Sequence, residues 1–285
     1  MKKSALLFAI MLNQVFCMAQ VNWGVNPAGA VFARQGGETP EGTFRFSSGG
    51  YEVITISSGD KAFQPASLFY GENDADKDKI DAMSPDGKVP TGMNCFVVRT
   101  PEGFVMFDTG LPTSKGGNTL ARLEALDIPS ASIKAIFLTH SHFDHIGGLI
   151  DDNGRAEYPE ATVYVSSEEY KFMSSSMREM TMRLKNAYDG RFVIFTEGTL
   201  LPYNVMPISA PGHTPGHTAY QIGNLLFVGD LMHGISLQLT DPSICAAYDA
   251  DRSKSDETRR NILNYAVANS LTVLCAHAPL NGVVF

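Results

Sequence analysis

From Tyr51 onward, the alternation of apolar and polar positions divides the chain into short strands and helices. Tyr51-Glu-Val-Ile-Thr-Ile56 alternates with the two-residue period of a strand. Met93-Asn-Cys-Phe-Val-Val98 and Phe104-Val-Met-Phe-Asp108 predict a hairpin closed around Thr100-Pro-Glu-Gly103. From Asn118 to Leu126 the spacing of Leu120, Leu123 and Leu126 puts three leucines on one helical face. Lys134-Ala-Ile-Phe-Leu138, Thr162-Val-Tyr-Val165, Phe192-Val-Ile-Phe195 and Val205-Met-Pro-Ile208 read as strands. Between the middle two, Ser167 to about Tyr188 is helical and carries Met173, Met177, Met180 and Met182, a stripe expected to fill core. Ser255 to Ala268 predicts a helix that feeds the strand Leu271-Thr-Val-Leu-Cys275. Two strand-rich halves, each followed by helices, give an α/β (α+β) class and a four-layer αββα sandwich, one domain over residues 51–285.

Two stretches lack that regularity. Residues 20–50 are rich in Gly, Asn, Pro and Ser without a sustained period, and predict an irregular arm that lies over the core or crosses to a partner subunit in a homodimer. Residues 61–91 carry Pro65, Gly71, Pro85, Gly87 and Pro90 around an Asp/Lys-rich middle, and predict a long connection. Its Phe63, Leu68, Phe69 and Tyr70 fit either the wall of a pocket or a satellite core.

The first nineteen residues have their own character. Lys2-Lys3, the apolar run Ala5 to Leu12 and the small residues through Cys17-Met-Ala19 stand in the order of a secretory signal cleaved after Ala19. The apolar run is too short to span a bilayer, so no stable membrane insertion is expected after processing, and the mature protein is expected to be periplasmic or extracellular. The formal charge of −8 becomes more negative once Lys2 and Lys3 leave. No cluster of Lys or Arg follows them, which speaks against nucleic acid as a partner. Cys95, Cys245 and Cys275 remain, an odd number without Cys-x-x-Cys spacing, so no disulfide framework is indicated.

The chemistry is concentrated in Thr139-His-Ser-His-Phe-Asp-His-Ile-Gly148. His140, His142, Asp144 and His145 put three imidazoles and a carboxylate into six positions, just after a strand, and these are donors suited to zinc or a similar divalent ion. His213 in Ala210-Pro-Gly-His-Thr-Pro-Gly-His217, Asp230 in Phe227-Val-Gly-Asp-Leu231 and His277 in Leu274-Cys-Ala-His-Ala278 each follow an apolar run. All seven histidines of the protein fall in or beside these motifs. One such match carries a real risk of chance, but four in order do not.

This set resembles the metallo-β-lactamase superfamily, whose hallmark is His-x-His-x-Asp-His followed by a distant His, Asp and His. The likeness runs from about Tyr51 to His277. It implies a first metal site of His140, His142 and His213, a second of Asp144, His145 and His277, and Asp230 as the carboxylate that bridges them. It implies two divalent ions, Zn(2+) first among them, and assigns catalytic work to Asp144 and Asp230. Asp108 in Asp108-Thr-Gly110 resembles a residue that orients ligands. No Cys occupies a ligand position and His145 stands where one lactamase subclass has Arg, so those subclasses fit poorly. Gly229-Asp-Leu-Met-His233 and Ala210 to Thr218 resemble the methyl parathion hydrolase branch.

Two close divalent ions can share a water and acidify it into a hydroxide near neutral pH. The function expected is therefore an exported dinuclear hydrolase that uses a metal-bridging hydroxide on esters, lactones or phosphotriesters. The alternatives are a β-lactam-hydrolysing enzyme and a non-catalytic metal-binding relative. His217 is expected to bond within its own turn. His233, Phe143 and Phe69 are expected to line a pocket above the metals, and since no Arg or Lys lies within five residues of a proposed ligand, the substrate is expected to be small and neutral or apolar.

Overall fold

The structure is a computed structural model that describes residues 39–60, 62–71, 74–279 and 282–285. The expected signal segment and the first part of the arm lie outside the described residues. The strands are β1 (Thr43–Ser48), β2 (Tyr51–Ser57), β3 (Phe63–Pro65), β4 (Phe69–Tyr70), β5 (Lys88–Pro90), β6 (Asn94–Thr100), β7 (Gly103–Phe107) and β8 (Ile133–Phe137). Then come β9 (Thr162–Ser166), β10 (Phe192–Phe195), β11 (Met206–Ser209), β12 (Thr218–Ile222), β13 (Leu225–Phe227), β14 (Cys245–Ala246) and β15 (Thr272–Leu274). A seven-stranded sheet has the order β1-β2-β6-β7-β8-β9-β10, and a four-stranded sheet the order β11-β12-β13-β15.

The sandwich follows from the alternation of side chains along the strands. Val53, Phe96, Val98, Val105, Phe107, Ala135 and Phe137 of the large sheet meet Tyr220, Ile222, Leu225, Phe227 and Leu274 of the small one in a shared core. Phe107 and Phe227 stack across it with ring centroids 3.8 Å apart. The neighbours of those residues, Ile54, Val97, Met106 and Ile136, point the other way and are covered by Leu123, Met173 and Leu184 from helices. On the far face of the small sheet, Ala219, Leu226 and Val273 pack against Ile262, Leu263 and Ala266 of the helix Arg252–Ala268. Three apolar layers between four structural ones make the αββα arrangement expected from the sequence.

Three expectations are corrected. The arm does not stay irregular up to Gly50: β1 pairs with β2 as an edge hairpin, turned by Gly49 and Gly50 at φ of 56° and 87°. A two-residue turn with both φ values positive matches the twist of the flanking strands, and Gly-Gly takes it without strain. The 61–91 segment is not an open connection either, since it holds β3, β4, β5 and the helix Asp74–Met83. Charged residues surround Ile80 and Met83 in that helix and mask its apolar side, which joins Ala66, Phe69, Val89, Leu237 and Ile244 in a satellite core. Finally, the Met-rich helix is two helices, Ser167–Ser176 and Arg178–Ala187, broken at Met177. Met173 is core, Met177 and Met180 pack against it, and Met182 is exposed. Among the described residues no helix is long and apolar enough to cross a membrane.

Candidate metal centre

The histidine motifs meet where strands of both sheets end. The His140–His145 run leaves β8 and enters the short helix Phe143–Ile146. Thr109 secures it from below, with both its backbone N–H and its hydroxyl donating to the His145 carbonyl at 2.8 and 2.9 Å. Gly148 is required there: a Cβ would stand 2.4 Å from the Thr109 carbonyl oxygen. His213 sits in the turn between β11 and β12, Asp230 just after β13, and His277 just after β15.

These turns bring the expected ligands together. Donor atoms of His140, His142, His213 and Asp230 all lie within 4.8 Å of one another, and so do those of Asp144, His145 and His277. Asp230 stands between the groups. Its Oδ1 is 3.0 Å from His145 Nε2, while Oδ2 is 3.3 Å from His213 Nε2, 3.1 Å from His277 Nε2 and 3.6 Å from His140 Nε2. His142 faces the cluster through Nδ1, 2.8 Å from His213 Nε2.

Hydrogen bonds on the far side of the rings decide which nitrogen is free. His145 Nδ1 donates to Asp108 Oδ2 at 2.8 Å, His213 Nδ1 to Asp249 Oδ1 at 3.0 Å, and His277 Nδ1 to the Gly92 carbonyl at 2.9 Å. The Thr139 hydroxyl donates to Asp108 Oδ2, so at His140 Nδ1 it accepts, at 3.0 Å. In each ring Nε2 is left as a lone pair turned into the cluster. His140 Nε2, His145 Nε2 and Asp230 Oδ1 are buried without a hydrogen-bond partner. Buried acceptors without a donor are costly, and a cation would satisfy all three, so the donor set fits metal.

The electrostatics of the ring of donors agree with this. Burial pushes His140 well below its ordinary value and His142 down to about 4, with neighbouring histidines adding to the effect. At Asp230 burial acts to raise the carboxyl, but His145, His277, His233 and His140 outweigh it and hold it well below the usual range. Asp144 is likewise lowered, against its burial, by His145 and His277. At His145 burial is opposed by Asp230, Asp108 and Asp144, which raise it well above its ordinary value.

Of the other residues singled out in the sequence, some fall as expected and some do not. His217 bonds within its turn as expected, Nδ1 donating to the Ala210 carbonyl at 3.1 Å, and its Nε2 is used as well, by the backbone N–H of Asp230. His233 is not an open pocket wall: it is 1% exposed, its Nε2 is 2.9 Å from Asp230 Oδ2, and its ring stacks on His277. Phe69, 4% exposed, is in the satellite core beneath Gly234, because its ring finds Val89 and Leu237 rather than solvent. Phe143 is 41% exposed beside the ligands, with Lys115 Nζ 5.4 Å from its ring centroid. Lys88 and Arg252 lie similarly over exposed Phe63 and Tyr70. Lys115 thus brings beside Phe143 a cation that spacing along the chain did not indicate.

Sequence reasoning missed Asp249, Arg259, Glu169, Gln64 and Tyr248. Tyr248 is 38% exposed, its ring 4.6 Å from His233 and 6.1 Å from His213. Its hydroxyl donates to Gln64 Oε1 at 2.5 Å, and Gln64 Nε2 donates to the His233 carbonyl at 2.6 Å. The one available signal was Asp249 itself, an acid between small and aromatic residues ahead of a helix; nothing in its spacing ties it to His213.

The sequence profile of the metallo-beta-lactamase superfamily matches residues 90–277, most of the described chain and every residue of the donor cluster. The chain belongs to that superfamily. Among solved structures, the hydrolase AbOPH of the beta lactamase superfamily superposes with a TM-score of 0.75 at 26% identity, over 85% of this chain and 92% of that one. AidC, a dizinc quorum-quenching lactonase solved with its product N-hexnoyl-L-homoserine, has the same fold, with a TM-score of 0.72 at 21% identity over 86% of this chain and 94% of that one. A hydroxyacylglutathione hydrolase of Yersinia pestis (strain Pestoides F) is 35% identical over 102 residues, which are 35% of this chain and 33% of that relative. This chain thus matches about a third of that curated relative's length. Metallo-beta-lactamase superfamily membership makes it a relative of hydrolases, and the donor cluster is the part of the fold that fits divalent metal.

Proposed function

We propose that the protein is an exported hydrolase with two divalent ions, zinc first among the candidates, held by His140, His142, His213, Asp230, Asp144, His145 and His277, and that it cleaves esters, lactones or neutral phosphotriesters. The observation that carries this is the convergence of buried, unpartnered lone pairs of His140, His145 and Asp230 on one volume. The bound ions supply a water acidic enough to attack near neutral pH and a positive charge that polarises the substrate oxygen. The chain supplies the rest. Asp108, Asp249 and the Gly92 carbonyl hold the imidazoles in the required tautomer. Asp230 joins the two groups, and Asp144 is the more exposed of the two carboxylates.

Substrate is held between Tyr248 and Phe143, the aromatic side chains that border the cluster and remain partly open. The likeness to the hydrolase AbOPH supports hydrolysis, and the likeness to a lactonase favours lactone substrates. The likeness to a hydroxyacylglutathione hydrolase, over a third of its length, adds thioesters as a second arm of the test. Export is inferred from Lys2-Lys3, the apolar run and Ala19. Steady-state rates on aryl esters, lactones, phosphotriesters, a hydroxyacylglutathione, a chromogenic cephalosporin and phosphomonoesters, with and without chelator, test the reading. It expects chelator-sensitive turnover in the first three classes. Preference for the cephalosporin or the phosphomonoester would overturn it. Intact mass of the mature protein should begin at Gln20, and retention of residues 1–19 would contradict export.

A further inference from the structure

Glu169 is a buried carboxylate outside the donor cluster, in the first turn of the helix Ser167–Ser176. Its Oε1 accepts from the Ser141 backbone N–H at 2.8 Å and from the Ser141 hydroxyl at 2.6 Å, and its Oε2 accepts from the Thr214 hydroxyl at 2.6 Å. Ser141 lies between His140 and His142, and Thr214 follows His213. One carboxylate therefore ties together the two loops that carry three donors of one metal group. The contact is close on the backbone side as well: a Cβ at Gly216 would stand 1.9 Å from the Glu169 nitrogen, and the Ser166 hydroxyl donates to the Gly216 carbonyl at 2.8 Å. The other group, Asp144, His145 and His277, is braced by Asp108 and Gly92 and shares no hydrogen bond with Glu169.

We propose that Glu169 is a positioning residue that presets the spacing of His140, His142 and His213, and so the affinity of that one metal position, without touching ion or substrate. This rests on the dinuclear reading above. A carboxylate suits the task because it accepts from three donors at once, and charge-assisted bonds of this kind are short and directional. The Thr218 N–H to Thr139 carbonyl bond, 2.8 Å, already joins the loops at their base, so loss of Glu169 should loosen the donors without unfolding the layer.

The experiment is stepwise zinc binding, measured by competition with a chromophoric chelator, on the full chain and its Glu169→Ala, Glu169→Gln and Thr214→Val variants. Wild-type protein should show two steps, and His213→Ala identifies which belongs to this group. Glu169→Ala should weaken that step by about ten- to a hundredfold, the range seen when support of a ligand is lost, and leave the other nearly unchanged. Glu169→Gln should recover most of the affinity, its amide oxygen accepting from Ser141 and its amide nitrogen donating to the Thr214 hydroxyl. Thr214→Val keeps the shape and removes one donor, so it should weaken the same step by a smaller factor, and it decides the matter should Glu169→Ala fail to purify. Equal weakening of both steps, or none in either, overturns the proposal. A wild-type protein with a single step would overturn the dinuclear reading and this inference with it.

Discussion

The backbone N–H of Asp230 donates to Nε2 of His217 at 3.0 Å, while Nδ1 of the same ring donates to the Ala210 carbonyl. An imidazole used at both nitrogens is a spacer, and here it sets where the central carboxylate of the donor cluster begins. Gly229 makes room for it, since a Cβ there would lie 2.7 Å from His217 Nε2. A proton on His217 would break the bond to Asp230. Burial, joined by His213, pushes this ring from its ordinary value of 6.5 down to about 3. Between those values the unfolded chain binds the proton and the folded chain does not, so stability falls as pH falls through the window, by about 1.4 kcal/mol per pH unit. His217→Gln removes that proton while keeping an acceptor. Urea unfolding of chelated wild type and variant between about pH 6 and pH 4, inside the window between the two values of the ring, should show the shallower pH dependence in the variant. Parallel curves would count against the spacer role.

Asp108 gives a second prediction. Its Oδ1 accepts from the Thr139 N–H at 2.8 Å, and Oδ2 accepts from both the Thr139 hydroxyl and His145 Nδ1. The residue itself takes φ of 59°, a left-handed conformation that Asp and Asn tolerate better than most. Asp108→Asn keeps that backbone but replaces one acceptor oxygen with a donor. It should reduce zinc affinity by about ten- to a hundredfold, mainly at the position that includes His145. Competition with a chelator measures it, and wild-type affinity in the variant would remove Asp108 from the account.

Arg259 is fully buried in the helix Arg252–Ala268 and donates to the carbonyls of Leu231, Pro242 and Ile244. Its guanidinium also lies 3.8 Å from Asp249, the carboxylate that holds His213. Arg259→Met would remove the side-chain donor from the Leu231 and Pro242 carbonyls, one of two from Ile244, and the positive charge beside the buried Asp249. A loss of about 3–5 kcal/mol in unfolding free energy is expected, as for other broken buried pairs. Chemical denaturation of the two proteins at neutral pH checks it, and a loss near zero would mean that water or repacking replaces the arginine.

The layers and the donor set were legible in the sequence because each depends on local pattern. The strands alternate, Leu120, Leu123 and Leu126 share a face, and the donors come in short motifs at strand ends. What escaped was set by tertiary contact. Asp249, Glu169 and Arg259 support the cluster from positions that look like an ordinary turn acid and two helix-surface charges. His233 was read as a wall because nothing in Met232-His-Gly234 reveals that Gln64 and Gln238 fix its backbone and draw it inward. The cations over Tyr70 and Phe143 come from other segments, and Lys88 reaches Phe63 only through the pairing of β3 with β5, so distance along the chain gave no warning of them. The β1 hairpin was a miss in the fold with a local signal, since Gly49-Gly50 after Phe44-Arg-Phe46 is a hairpin turn.

Tyr248 and Phe143 carry the substrate side of the account. Tyr248→Ala would remove the aromatic face beside His213 and His233 and free Gln64, while leaving every proposed ligand in place. KM for the best ester or lactone should rise by about tenfold, the worth of a modest apolar contact, with metal content unchanged. A drop in metal content with KM unaltered would instead put Tyr248 among the residues that support the ligands.

Metal content of the whole protein tests the central claim most directly. Protein purified without chelator from zinc-supplemented growth should carry two ions per chain by elemental analysis, and Asp230→Ala should lose both because its two oxygens face both groups of donors. One ion or none in the wild-type protein, or two retained in Asp230→Ala, would contradict it.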